Sequence, residues 1–147
     1  VAFLDQVEEL WEGMAMTEMS YELQALGWAA LIWVLHFLVT SMAASGQVGM
    51  GYLLGPRDEQ KELTGAAARL KRAMANYNEG LLLFAVAVVL VVLGQASSEL
   101  TQYCAGVFLA SRLLYIPAYA LGWSPWRTLI WFIGFAATLV MVLAALF

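Results

Sequence analysis

Three short stretches of the chain hold residue types that could do chemistry together. Arg72, Asn76 and Glu79 are spaced i, i+4, i+7, so one helical face carries a cation, an amide and a carboxylate; Arg69 extends it by a turn. Arg112, Tyr115 and Tyr119, spaced i, i+3, i+7, form a second such face. The third stretch is Gly122-Trp123-Ser124-Pro125, which reads as a helix stop followed by a helix start, with Ser124 as cap and Pro125 in first position. Arg127 then falls in a first turn, where the positive end of the helix dipole makes a cation electrostatically misplaced. Free amides, a guanidinium and the Thr128 hydroxyl at one helix start make an anion site. Plainer readings stay open: border charges for Arg69, Lys71 and Arg72, an interfacial anchor for Arg127, packing aromatics for Tyr115 and Tyr119. Convergence favours binding, because three separate segments place polar groups at the same ends of three helices.

The elements that must position these residues are membrane helices. The chain is 63% hydrophobic and 12% charged over 147 residues, against about a quarter charged in soluble domains. That identifies an integral membrane protein of one domain. Length and hydropathy predict four spans: 23–44, 63–94, 100–121 and 126–147. The apolar part of the second, Gly80 to Gly94, is shorter than the roughly 20 residues a span needs, so Asn76 and Glu79 lie at or below the membrane surface. Arg112 lies near mid-membrane, where a lone arginine is expensive and a carboxylate partner lowers the cost. Glu79 is the acidic residue at comparable depth. The two are expected close together, within one subunit or across an interface. The short Gln95–Glu99 turn makes the second and third spans antiparallel neighbours, with Ser98-Glu99 as a cap.

Lysine and arginine set the orientation. The loop between spans one and two holds Arg57, Lys61, Arg69, Lys71 and Arg72, and the turn between spans three and four precedes Arg127. Both basic connections are expected to face the cytoplasm, with both termini outside it. Residues 1–19 differ from the membrane part at 20–147. Phe3, Leu4, Val7, Leu10, Trp11 and Met14 recur at helical spacing among Asp5, Glu8, Glu9 and Glu12, the pattern of an acidic amphipathic helix. It suits docking on a protein partner better than binding anionic lipid; the alternative is an extension peculiar to this chain. The single Cys104 excludes a disulfide framework, and the single His36 a two-histidine metal or haem site, so no metal is expected. His36 reads as a packing group. A net charge of −4 argues against nucleic acid. A transporter is disfavoured by the low span count and the lack of a Gly/Pro-broken span.

With these motifs in hand, the chain resembles the MAPEG family, the membrane-associated proteins in eicosanoid and glutathione metabolism, over about residues 20 to 147. The second-helix pattern Arg-Ala-x-x-Asn-x-x-Glu is met by Arg72-Ala73, Asn76 and Glu79. The third-helix pattern Arg-x-x-Tyr-x-x-x-Tyr is met by Arg112, Tyr115 and Tyr119. The turn Pro-x-Arg-Ser/Thr is met by Pro125, Arg127 and Thr128. Leu54-Gly-Pro-Arg57-Asp58 is similar to the bacterial branch, which implies an inner-membrane protein. The resemblance implies an all-α bundle of four transmembrane helices assembled as a homotrimer, with glutathione as co-substrate between subunits near the cytoplasmic side. By the same resemblance Arg72, Asn76, Glu79, Arg112 and Tyr119 hold glutathione, Tyr115 lines its pocket, and Arg127, assisted by Thr128, faces the sulfur as the catalytic group. The second substrate is a lipophilic electrophile or peroxide arriving through lipid. Gly80 departs from the pattern, standing where some members place a tyrosine. So does Ala43-Ala44-Ser45-Gly46-Gln47, which lacks a basic residue found at that helix end in some members. The alternative reading is a non-catalytic subunit of the same fold that docks a larger complex through residues 1–19.

Overall fold

The computed structural model describes residues 4–7, 19–56, 58–59 and 61–147. Residues 4–7 are helical; the rest of the amphipathic pattern expected at 1–19 and Arg57 of the basic loop lie outside the described residues. Four long helices follow: α1 Tyr21–Val48, α3 Gly65–Leu93, α4 Glu99–Ala120 and α5 Trp126–Leu146, with a short α2 at Met50–Leu54. Their ends fall within a few residues of the hydropathy boundaries. Three of them, α1, α3 and α5, are long and apolar enough to cross a membrane. The fourth, α4, has 22 residues, a spanning length, but carries Arg112 and several polar side chains in its sequence.

Local chemistry sets the turns. Ser98 caps α4 as expected: its Oγ accepts from Thr101 N–H while Thr101 Oγ1 accepts from Ser98 N–H, a reciprocal capping box. Gly122, at φ +73°, ends α4 in a left-handed residue. The bonds Trp123 N–H to Ala118 O and Gly122 N–H to Tyr119 O complete a Schellman motif. The long loop is closed by Gln47, whose amide bonds both backbone groups of Thr64, at 2.9 and 3.0 Å.

The four rods alternate in direction, and small residues set how closely they approach. Ala25, Ala29, Ala87 and Ala105 are buried at the centre around Phe84 and Phe108, whose rings stack 3.9 Å apart. Apolar side chains such as Leu31, Leu82, Phe132 and Leu146 face outward and exposed, as a lipid-facing surface requires. With little hydrophobic drive between helices in lipid, specific polar ties matter. Tyr77 Oη donates to Ala29 O at 2.8 Å, and Trp33 Nε1 donates to Asn78 Oδ1 at 2.6 Å. At the opposite end from the basic loops, fully buried Glu22 accepts from Thr101 Oγ1 at 2.6 Å and from Ser97 Oγ at 2.9 and 3.0 Å. That contact locks the start of α1 onto the α3–α4 turn.

Candidate functional site

The ends of α3, α4 and α5 meet where the arginines gather. Arg69 is already committed to the fold: its Nε donates to Ala120 O at 3.0 Å, placing a cation on the carbonyl end of α4, where the dipole favours one. Below it, Asn76, Tyr115, Tyr119, Arg127, Thr128 and Trp131 line one cavity of about 230 Å³. The Arg127 guanidinium lies over the Tyr119 ring, 4.9 Å from its centre, and Tyr119 packs at 5.3 Å against the buried Tyr115 ring. This stack fixes the cation on an aromatic shelf at the cavity wall. Asn76 Oδ1 is buried there without a partner, an acceptor available to a ligand's ammonium or amide.

The helix start itself differs from expectation. Ser124 is not the cap: Pro125 holds that position, without a side-chain cap bond, and α5 begins at Trp126. The amide of Arg127 donates to Trp123 O and that of Thr128 to Pro125 O, both at 3.0 Å. The chain tightens into this turn, so neither amide is free. The anion-binding capacity of the site therefore rests on side chains, the Arg127 guanidinium and the Thr128 hydroxyl, and not on exposed backbone.

A second, narrower cleft of about 70 Å³ adjoins the first across Trp131, and Glu79, Gly80, Phe108 and Arg112 are among its lining residues. Arg112 is 1% exposed. Its guanidinium packs near the Phe108 and Tyr115 rings, and Nη2 donates to Trp131 O at 3.2 Å. Nε and Nη1 are buried without partners. Glu79 and Arg112 thus share a cleft, but among the described residues no ion pair joins them. The expected carboxylate partner is replaced by a carbonyl and two ring faces, which leaves unspent donor capacity in a nearly dry place. Two glycines make room for the guanidinium. A Cβ at Gly80 would stand 3.4 Å from Nη1; one at Gly134 would stand 2.7 Å from Nη2 and collide with Ser111 Oγ.

Arg72 is not brought into either cleft. One turn above Asn76, it is exposed and lines a separate cavity with Tyr52, Lys61 and Lys71. His36 is fully buried with neither nitrogen hydrogen-bonded, its ring edge-on to Tyr77 at 6.0 Å, consistent with a packing role. No group of three or more metal-ligating side chains is found among the described residues.

Sequence reasoning missed Trp131, the wall common to both clefts, and Gly134. The signal was present: residues 127, 131, 134 and 138 follow i, i+4, i+7, i+11, one stripe of α5 continuing from Arg127. No curated protein and no solved structure matches the chain. A family model does: the one described as the MAPEG family matches residues 25–147, which takes in every residue of both clefts, and the chain belongs to that family.

Proposed function

We propose that the protein is a glutathione-dependent transferase or peroxidase acting on a lipophilic electrophile at the cytoplasmic face of a bacterial inner membrane. In this reading all four long helices span the bilayer, both termini lie outside the cytoplasm, and three copies assemble as a homotrimer. The observation that carries the reading is the joint placement of Arg127, Thr128, Tyr119, Tyr115 and Asn76 on one cavity, with the unsatisfied Arg112 guanidinium behind Trp131.

The donor set fits the co-substrate. Glutathione presents two carboxylates, one ammonium and one thiol. Guanidiniums complement the first, Asn76 Oδ1 and the Glu79 carboxylate the second. The tripeptide is larger than the 230 Å³ cavity, so it extends along the α3 stripe toward Arg72 and down toward Arg112, which gives those residues carboxylate-binding roles. When bound, glutathione supplies a sulfur nucleophile, active as its thiolate. Arg127 stabilises that negative charge from its aromatic shelf, and Thr128 donates a hydroxyl beside it. Tyr115 and Trp131 keep water from the sulfur. The electrophile reaches the cavity sideways from lipid.

Calorimetric titration of the detergent-solubilised protein with glutathione, paired with a conjugation and peroxide-reduction assay, tests the reading. Arg127→Ala should lower turnover far more than affinity, while Arg72→Ala and Arg112→Met should weaken affinity. Negligible effects of all three on both quantities would reject it.

A further inference from the structure

We propose that the groove between α1 and α3 is a binding site for an anionic phospholipid of the leaflet on the basic side of the membrane, distinct from the glutathione cavity. Two cavities are continuous there. One, about 490 Å³, is a polar cup that includes Tyr52, Lys61, Glu62, Lys71 and Arg72; the other, about 610 Å³, is a mainly apolar groove running down between the helices past Ala44, Leu53, Met74 and Phe37. They share Tyr52, Lys61, Leu63 and Lys71, so both lysines stand at the junction of a charged mouth and a greasy trough. Lys61 is held over the Tyr52 ring, 5.1 Å from its centre, and its backbone N–H donates to Tyr52 Oη at 2.9 Å, which fixes the mouth.

Depth identifies the occupant as a membrane lipid. Along α1 the groove runs from Val48 to Phe37, eleven residues and about 16 Å at ~1.5 Å each. Half of a ~30 Å hydrocarbon core is about 15 Å, the depth of one leaflet's acyl chains. The upper four residues lie above the expected span end at 44, level with a head group, and the seven from Ala44 to Phe37, about 10 Å, fall within that depth, so a lipid phosphate anchored at the lysines lays the upper part of its chain in the groove. Asn78, on the groove wall, has its amide oxygen occupied by Trp33 Nε1. Basic pockets between membrane helices on this side are suited to phosphate head groups. Lys61 and Lys71 carry the recognition; Arg72 borders only the cup. Neither lysine belongs to the proposed catalytic or glutathione-binding set, so substitutions at the two lysines test the lipid site apart from that reading, although Arg72, which the reading gives to glutathione, also lines the cup.

Native mass spectrometry of the delipidated full chain, without glutathione, tests the site by titration with phosphatidylglycerol, phosphatidylcholine, oleate and inorganic phosphate. Phosphatidylglycerol should bind once per chain and at least tenfold tighter than phosphatidylcholine. K61Q with K71Q should weaken phosphatidylglycerol by roughly 30-fold, from about a fivefold loss per cation near the surface, and leave glutathione turnover unchanged. A75W, which fills the groove from an exposed α3 position, should abolish binding with both charges intact. Equal affinity for the two phospholipids, indifference to K61Q/K71Q, or retention of lipid by A75W would overturn the proposal. So would oleate or free phosphate matching phosphatidylglycerol. A photo-cross-linker at position 75 should capture lipid; capture of a second copy of the chain would identify the groove as a subunit contact and overturn the lipid assignment.

Discussion

Replacing Arg127 by alanine removes a cation from the wall of the 230 Å³ cavity, and the consequence can be worked through. A free thiol has a pKa near 8.5, so at pH 7 only about 3% of it is thiolate. For a sulfur bound at ~5 Å from the guanidinium, the attraction is about 3.3 kcal/mol at an effective dielectric of ~20. That is about 2.4 pKa units at ~1.36 kcal/mol each; with ~2 units realised, about three-quarters of the bound thiol is ionised at pH 7. Arg127→Ala should therefore lower kcat at pH 7 by about 25-fold and leave glutathione affinity within a few-fold. The sign of the pH dependence is specific. The thiolate is the reactive form and its pKa is depressed in the intact protein, so wild-type kcat rises through about pH 6.5 and the variant's through about pH 8.5, and the deficit closes above pH 9. Stopped-flow kinetics with a saturating lipophilic electrophile from pH 6 to 9.5 reads this directly. A deficit of the same size at pH 9.5 as at pH 7 would refute the electrostatic role of Arg127 and turn it into a structural or binding residue.

Three further outcomes follow from the same geometry. Arg112→Met should raise the glutathione KM at least tenfold while leaving thermal stability unchanged or higher, because the buried guanidinium lacks a carboxylate partner and an apolar residue of similar length avoids its desolvation cost; destabilisation by more than ~2 kcal/mol would show Arg112 to be structural. Gly134→Ala should destabilise by about 1–3 kcal/mol through overpacking against Ser111 and Arg112, a fall of roughly 2–12 °C in unfolding temperature, partly relieved by Ser111→Gly in the same chain. Glu22→Ala should cost about 1.5–3 kcal/mol by removing a charged acceptor from the Ser97 and Thr101 hydroxyls, with kcat of the folded protein unaltered because the lock lies at the opposite end from the cavity.

Much of the fold was legible because bilayer physics writes itself into composition. Helix lengths followed from hydropathy, and the turn before α4 from Ser98, whose capping box needs only the residues at 98 and 101. The end of α4 was legible from Gly122, since a left-handed residue there favours glycine. The start of α5 was not. Ser124 is a good cap by type, but the Trp123–Arg127 backbone bond draws the chain into a turn one residue later, a geometric competition that residue preference does not encode. At the site, periodicity grouped Tyr115 with Tyr119, and the predicted helix start after Gly122 added Arg127; all three line one cavity. It could not tell that Arg72, sharing a helical stripe with Asn76, opens onto a different cavity. Exposed arginine side chains are long enough to point either way, and spacing fixes only their Cα positions. Nor could spacing supply the partners of Arg112. An ion pair with Glu79 was the economical guess, whereas the folded chain offers Trp131 O, two aromatic rings and space left by Gly80 and Gly134.

The central claim is that the arginine-lined end of the bundle holds glutathione as a thiolate, and its most direct measurement is ultraviolet difference absorbance during titration of the solubilised protein with glutathione at pH 7. Saturable thiolate absorbance should develop with the wild type and be lost with Arg127→Ala, while calorimetry still records binding to the variant. Binding of glutathione to the wild type with no thiolate signal would contradict the account.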